Sequence, residues 1–531
     1  MNEVTVFQGA TVIDGTGGPA FTGDVAIAGG IITQVGRKLA GGAAKVIESD
    51  GLVVAPGFID SHTHTDGTVF ATPGSESKLF QGVTGEVTGN CGIGFFPVSP
   101  RYRDSLESYL AVHHFAMPAS AIGWMDFAGY AQQLEKTGLG VNHIPLVAHG
   151  ALRIAVMGAE DREATATEQQ QMNRLLGGLL TQGAQGLSTG LIYPPGSFAP
   201  TSELIALARV CAEHGAVYTS HIRGESTTLM DAIEEAIEIG RQSKVRVVIS
   251  HLKPLGRDNW GKGVILLEKI ETARKQGVDI TADQYPYEAS STSLTALVPA
   301  RFHAGGVPHL LAALSNPDLK QALLEGIERE MNVRGGSEKV MVTNLASKDS
   351  LSLSGKTLAQ IASLWGETSA GTVLRLLQAE KGAVGAVFFS ISEQDVDVIM
   401  RSKNVAVGSD GRGLRTGFSA EATHPRSYGT FPRVLAKYVR EKKLLSLETA
   451  IYKMTGLTAQ RFDLTDRGTI APGMAADLVV FDAASIRDTS DFSNPHQYAA
   501  GVEHLFVNGV PVIAGGRLTG NAAGKVLVRP S

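Results

Sequence analysis

Between residues 52 and 408 the chain alternates short apolar runs with amphipathic stretches, and that rhythm restricts the available folds severely. Runs at 52–55, 83–88, 143–148, 184–187, 216–220, 245–250, 278–282 and 405–408 read as strands, most of them flanked by turn-forming residues. Segments 202–214, 227–242 and 263–276 carry apolar residues at helical spacing. Strands separated by helices pair in parallel, because only a long crossover can join parallel neighbours. Eight such units predict an α/β fold, a closed (β/α)8 TIM-like barrel large enough to carry insertions. A ninth run, 388–391, competes for a place in that count.

One segment breaks the rhythm. Residues 288–352 hold a polar Ser/Thr stretch, a helix-like 308–329 and a β-like 339–343. An insertion after a barrel strand lands at the face where barrel active sites lie, so this segment reads either as a lid or as decoration.

The two ends of the chain differ from its middle. Runs at 4–7, 24–28, 31–35 and 45–47 are β-like and separated by glycine turns. Runs at 476–481, 504–507 and 510–513 match them, with Asn508-Gly509 a strong hairpin signal. The expectation is a small β-rich domain built from 1–55 and 465–531, flanking a barrel of 56–464.

Charge and cysteine content narrow the function classes. A net charge of −5 over 531 residues carries no basic surface for nucleic acid, and no apolar run approaches membrane-spanning length. With two cysteines, Cys91 and Cys211, no disulfide framework supports the fold. The N-terminal residues lack a basic region followed by an apolar core, so the expected location is cytoplasmic. The expected partner is a small-molecule substrate, and nothing in the chain sets an oligomeric state.

The chemistry collects where strands end. Segment 58–66 reads Phe-Ile-Asp-Ser-His-Thr-His-Thr-Asp, and on an extended chain His62 and His64 point to the same face. Later strands end near Cys91, Ser220-His221, Ser250-His251 and Ser409-Asp410. Taken singly, Cys91 reads as a small buried apolar residue and Asp410 as a helix cap. In a barrel, however, these ends converge on one mouth. Mixed Cys, His and Asp donors suit Zn2+, which acidifies water and polarises a carbonyl. Asp410 is then placed to take a proton and deliver it to a departing nitrogen, which is the equipment for amide hydrolysis.

Phe58-Ile59-Asp60-Ser61-His62-Thr63-His64 resembles the first-strand signature of the amidohydrolase superfamily. A closer resemblance, to the D-aminoacylases (N-acyl-D-amino-acid deacylases), runs along nearly the whole chain. It is carried by Gly89-Asn90-Cys91-Gly92, Gly190-Leu191-Ile192-Tyr193, His221-Ile222-Arg223 and His251-Leu252-Lys253. It continues through Asp283-Gln284-Tyr285-Pro286-Tyr287, Gly408-Ser409-Asp410-Gly411, His424-Pro425-Arg426 and Arg467-Gly468. The resemblance implies a tight zinc site of Cys91, His221 and His251, and a second, weaker site at His62 and His64 that Cys91 can bridge, with Asp410 nearby. It implies Asp410 as general base and acid, Lys253, Tyr285 and Arg426 on the substrate carboxylate, and Tyr193 near the scissile carbonyl. Arginine and lysine are natural carboxylate partners in any case. Arg223 and Glu225 read as a supporting pair.

The expected reaction is zinc-dependent hydrolysis of N-acyl-D-amino acids to a carboxylate and a free D-amino acid. An alternative within the superfamily is a hydantoinase- or dihydroorotase-like cyclic amidase. Many such relatives bridge two metals with a carboxylated lysine after the fourth strand, but Gln185-Gly186-Leu187-Ser188-Thr189-Gly190 has no lysine. A catalytically dead barrel acting as a scaffold is a further alternative. For the substrate's side chain two readings stand. Arg301, Arg412 and Arg415 would meet an acidic D-Asp or D-Glu side chain, and an apolar pocket would favour D-Met, D-Leu or D-Phe.

Overall fold

The computed structural model describes residues 4–39, 44–115, 121–302, 306–345, 347–419 and 421–529. Its centre is a parallel barrel. Phe58–Asp60 pairs with Val83–Thr88, which pairs with Asn142–Pro145. After Leu146 the third strand continues as Val147–Ala148, which pairs with Gly186–Gly190. Val217–His221, Arg246–Ile249, Ile280–Gln284 and Val405–Val407 follow in order, all parallel. A parallel bridge between Thr63 and Gly411, with the Asp410 amide donating to His62 O at 2.7 Å, joins the eighth strand to the first. Helices Ala166–Thr181, Thr201–Glu213, Leu229–Ser243 and Gly263–Lys275 pack outside it, each burying one apolar face.

The first expected strand is displaced. Val53–Pro56 does not enter the barrel; it lies between Val4–Val12 and Leu478–Phe481 in a nine-stranded sheet. Pro56-Gly57 passes the chain from that sheet into the barrel, and the first barrel strand is the three-residue Phe58–Asp60. The nine-stranded sheet draws on both ends of the chain, adding Val502–Val507 and Val510–Ala514 to Phe21–Ala28 and Ile31–Gly36. Asn508 and Gly509 both have positive φ, +50° and +79°, as a tight hairpin turn requires.

The inserted segment is longer than 288–352. Val384–Phe388 lies between Ser290–Ser293 and Val340–Leu345 in an antiparallel sheet of its own, so the insert closes only at Phe388. The competing ninth run therefore belongs to the insert. Helices Gly306–Ser315, Lys320–Val333, Leu358–Trp365 and Ser369–Ala379 cover this sheet around a separate apolar cluster that includes Leu323, Val342 and Leu377. The helix expected over 308–329 is two helices, parted at Asn316-Pro317, because proline cannot continue a helical hydrogen-bond ladder.

Candidate active site

Seven barrel strands deliver a chemically capable residue at or just beyond their C-terminal ends. His62 and His64 follow the first, Cys91 the second and Tyr193 the fourth; His221 ends the fifth. His251 and Lys253 follow the sixth, Tyr285 the seventh and Asp410 the eighth. Cys91, His251 and Asp410 have φ of +55°, +37° and +51°. Left-handed backbone in non-glycine residues is strained by roughly 1–3 kcal/mol each and gathers at functional sites. Gly190 permits the close approach: a Cβ there would run into the Cys91 carbonyl.

The turns bring the donor atoms together. Cys91 Sγ lies 3.3 Å from His62 Nε2 and 3.5 Å from His251 Nε2, which is 3.0 Å from His221 Nδ1. Asp410 Oδ1 lies 3.1 Å from His64 Nε2 and 3.5 Å from His62 Nε2. Two groups result, Cys91 with His221 and His251, and Cys91 with His62, His64 and Asp410, each with its donors within 4.8 Å of one another. Cys91 is common to both.

The charges suit a cation. Burial pushes the Cys91 thiol up, but the imidazoles of His62 and His251 outweigh it and hold the thiol well below its usual value. Burial likewise opposes ionisation of Asp410, but Arg426 and His64 hold its carboxyl well below the usual range. Two anions and four imidazoles, nearly all buried, make a borderline-soft donor set that fits Zn2+.

A supporting layer orients the donors. Asp283 Oδ1 accepts the His251 amide at 2.7 Å and lies 3.4 Å from His62 Nδ1. Glu225 Oε1 lies 3.0 Å from His251 Nδ1 and also pairs with Lys253. The expected pairing of Arg223 with Glu225 is not found. Arg223 binds Glu235, with Nε 2.9 Å from its Oε2, because the helix Leu229–Ser243 presents Glu235 nearer to it. Under the eighth strand end, Lys78 Nζ bonds Asp60 and Ser409 at 2.7 Å each, while Asp60 accepts the Ser409 amide at 2.8 Å. This fully buried clamp ties the residue before Asp410 to the first strand.

The residues expected to hold the substrate line the same mouth. Arg426 Nη1 sits 2.8 Å from Asp410 Oδ2, and its Cζ lies 5.0 Å above the Tyr285 ring. Among the described residues the buried Tyr285 hydroxyl has no hydrogen-bond partner. Lys253 Nζ stands 5.7 Å from the same ring, pairs with Glu225 and donates to His251 O at 3.0 Å, with His251 Nδ1 2.8 Å away. Tyr193 packs 5.1 Å from the His221 ring and shares a hydrogen bond of 2.7 Å with Thr292 of the insert. A cavity of about 1720 Å3 opens from the donor groups and is lined in part by the insert residues Val298, Leu310 and Leu345.

Several residues here escaped the sequence reading. Asp283 was legible only as part of a motif, and Lys78 sits in an unremarkable turn of helix. Asp66, two residues beyond His64, also lines the cavity; burial pushes its carboxyl up to about 7, against the opposing pull of His64.

Residues 45–513 match the amidohydrolase family. The chain is 38% identical to N-acyl-D-aspartate deacylase of Alcaligenes xylosoxydans over 98% of its length and 94% of the relative's. It is 37% identical to D-aminoacylase of the same organism over 99% of its length and 97% of the relative's. The crystal structure of N-acyl-D-glutamate deacylase from Bordetella bronchiseptica, complexed with zinc and a phosphonate mimic of the tetrahedral intermediate, superposes with a TM-score of 0.84. That pair is 33% identical, with 99% of each chain covered. With the barrel, the shared cysteine and these likenesses in place, the chain belongs to the amidohydrolase family.

Proposed function

We propose that this chain is a zinc-dependent deacylase that hydrolyses N-acyl-D-amino acids to a carboxylate and a free D-amino acid. The observation that carries the reading is the convergence of Cys91, His221 and His251 with Asp410 and Arg426 at one barrel mouth. Cys91, His221 and His251 hold the tighter zinc, and His62, His64 and Asp410, with Cys91 shared, hold the weaker one. A bound Zn2+ supplies Lewis acidity, making water nucleophilic near neutral pH and drawing electron density from the scissile carbonyl.

The chain's own residues do the rest. Asp410 takes a proton from the attacking water and returns it to the departing amide nitrogen, so the amine leaves neutral. The Tyr285 hydroxyl and the Arg426 guanidinium converge on the α-carboxylate, fixing the Cα so that exchange of its hydrogen and side chain is felt. Lys253, held by Glu225 and by the His251 carbonyl, keeps one N–H donor for the same carboxylate. Tyr193, beside His221, borders the acyl carbonyl. The strand Gly186–Gly190 offers no lysine for a carbamate bridge; the anion shared by the two donor groups is Cys91, which favours linear deacylation over cyclic amide hydrolysis.

The test is turnover of N-acetyl-D-leucine against N-acetyl-L-leucine and a 5-substituted hydantoin, with zinc measured on the same preparation. Deacylation of the D-substrate supports the proposal. An L preference, hydantoin opening without deacylation, or no turnover overturns it.

A further inference from the structure

Cys91 is common to both donor groups, so whatever fixes its sulfur acts on both at once. Its own backbone is poorly suited to the task. Gly89, Cys91 and Gly92 have φ of +76°, +55° and +69°, so the turn after Val83–Thr88 belongs to no regular ladder. Residues 89–92 are nevertheless all buried, and buried backbone groups need partners.

Those partners come from outside the turn, and one hydroxyl supplies two of them. Ser188 Oγ accepts the Gly92 amide at 3.1 Å and donates to Gly89 O. Its single proton goes to one side of Asn90-Cys91 and a lone pair to the other. Among the described residues neither the Gly92 amide nor the Gly89 carbonyl has a second partner. Ser188 is fully buried in the middle of Gly186–Gly190, in register with Ala148 on one side and Thr219 on the other. The barrel itself therefore fixes the position of this hydroxyl.

The turn is held from other directions as well. Tyr109, on helix Arg103–Val112, donates to Gly92 O at 2.8 Å, and that oxygen also accepts the Gly150 amide at 3.0 Å. Asn90 Nδ2 donates to Val87 O at 2.9 Å, back toward the second strand. Ser188 differs from both in spanning the cysteine, with a bond on each side of it.

We infer that Ser188, with Tyr109 opposite it, is a positioning residue for Cys91 and so sets the zinc affinity of the site. This rests on the zinc-site reading and is independent of which substrate is cleaved. Alanine at 188 leaves the Gly92 N–H and the Gly89 carbonyl buried and unpaired. A non-glycine residue keeps a left-handed backbone only while its surroundings enforce it. The turn then relaxes, and Cys91 Sγ leaves its place 3.3 Å from His62 Nε2 and 3.5 Å from His251 Nε2.

The experiment measures zinc affinity of the full chain and of Ser188→Ala by competition with a chromophoric chelator. Thiolate-to-metal charge-transfer absorption after Co2+ substitution and a melting curve are recorded on the same preparations. Zinc is expected to bind the variant about 10–100-fold more weakly, the scale for losing a group that orients a metal ligand, with a diminished cobalt–thiolate band. A variant that melts lower yet keeps parental zinc affinity and cobalt absorption overturns the inference, because a merely structural hydroxyl gives that result. Where melting shows Ser188→Ala to be unfolded, Tyr109→Phe decides, since it loosens the same turn at Gly92 O. Its zinc affinity is expected to fall about fivefold, the worth of one hydrogen bond, and parental affinity overturns the inference. A parent that binds no zinc, or whose cobalt form shows no thiolate band, overturns the zinc-site reading and the inference with it.

Discussion

Replacing Asp410 by Asn tests the proton-transfer assignment at a known geometry. Asp410 Oδ2 is 2.8 Å from Arg426 Nη1, and Oδ1 is 3.1 Å from His64 Nε2. Asparagine keeps the size and one acceptor oxygen but loses the charge and the basicity. Its amide can turn its oxygen to Arg426 or to His64, not both, and its NH2 group then faces a donor. Loss of a general base and acid lowers kcat by about 10²–10⁴, or roughly 3–5 kcal/mol of transition-state stabilisation. Loosening of Arg426 adds a smaller effect on the carboxylate, so KM is expected to rise by no more than about tenfold. Cys91, His221 and His251 are untouched, so about one zinc per chain should remain. The assay pairs initial rates of free D-amino acid release with metal analysis and a melting curve on one preparation. A kcat within tenfold of the parent, with zinc retained, would refute the role of Asp410. Loss of all zinc would show that Asp410 belongs to the tighter group.

Other expectations follow from the same geometry. The double replacement His62→Ala and His64→Ala should leave about one zinc per chain, whereas Cys91→Ala should remove metal and activity together; metal analysis after gel filtration decides, and complete loss in the double variant would reverse the ranking. Gly190→Ala drives a Cβ into the Cys91 carbonyl and should lower kcat/KM about 100-fold, the scale of an ångström's misplacement at a reacting centre, and parental kinetics would contradict it. Lys453 is fully buried, donates to Ser402 O, and is pushed by burial down to about 7. Between an unfolded value near ~10.4 and that folded value the unfolded chain holds a proton the folded chain lacks, so stability falls as pH drops through this window and levels off below it. Lys453→Met should therefore stabilise the protein by roughly 4 kcal/mol at pH 7, less about 1 kcal/mol for the lost hydrogen bond to Ser402 O, with the gain vanishing above about pH 10.5; melting curves at the two pH values check this, and a pH-independent difference would contradict it.

The barrel was legible because strand and helix periods differ and repeat, so long helices such as Leu229–Ser243 announce themselves locally. The first barrel strand was not. Phe58–Asp60 is too short to carry a period, while Val53–Pro56, just before it, is fully buried and looks the better barrel strand. The end of the insert was hidden for another reason. Val384–Phe388 pairs with strands far away in sequence, and such pairings leave no local mark. At the site, Cys91, His221, His251 and Asp410 could be found because each ends or follows a strand. Partner choice could not be read: Arg223 sits two residues from Glu225 yet binds Glu235, and Arg412, which lines the cavity, also donates to the carbonyls of His113 and His114 beyond a helix end. Those outcomes depend on side-chain direction, which spacing alone does not encode.

Titration of zinc into chelator-treated protein decides whether a Cys91-centred zinc site deacylates N-acyl-D-amino acids. Hydrolysis of N-acetyl-D-leucine should be absent without metal and rise linearly to about one equivalent of zinc, with the Cys91→Ala variant inert throughout. Full activity in the metal-free protein, or activity in the Cys91→Ala variant that responds to zinc as the parent does, would contradict it.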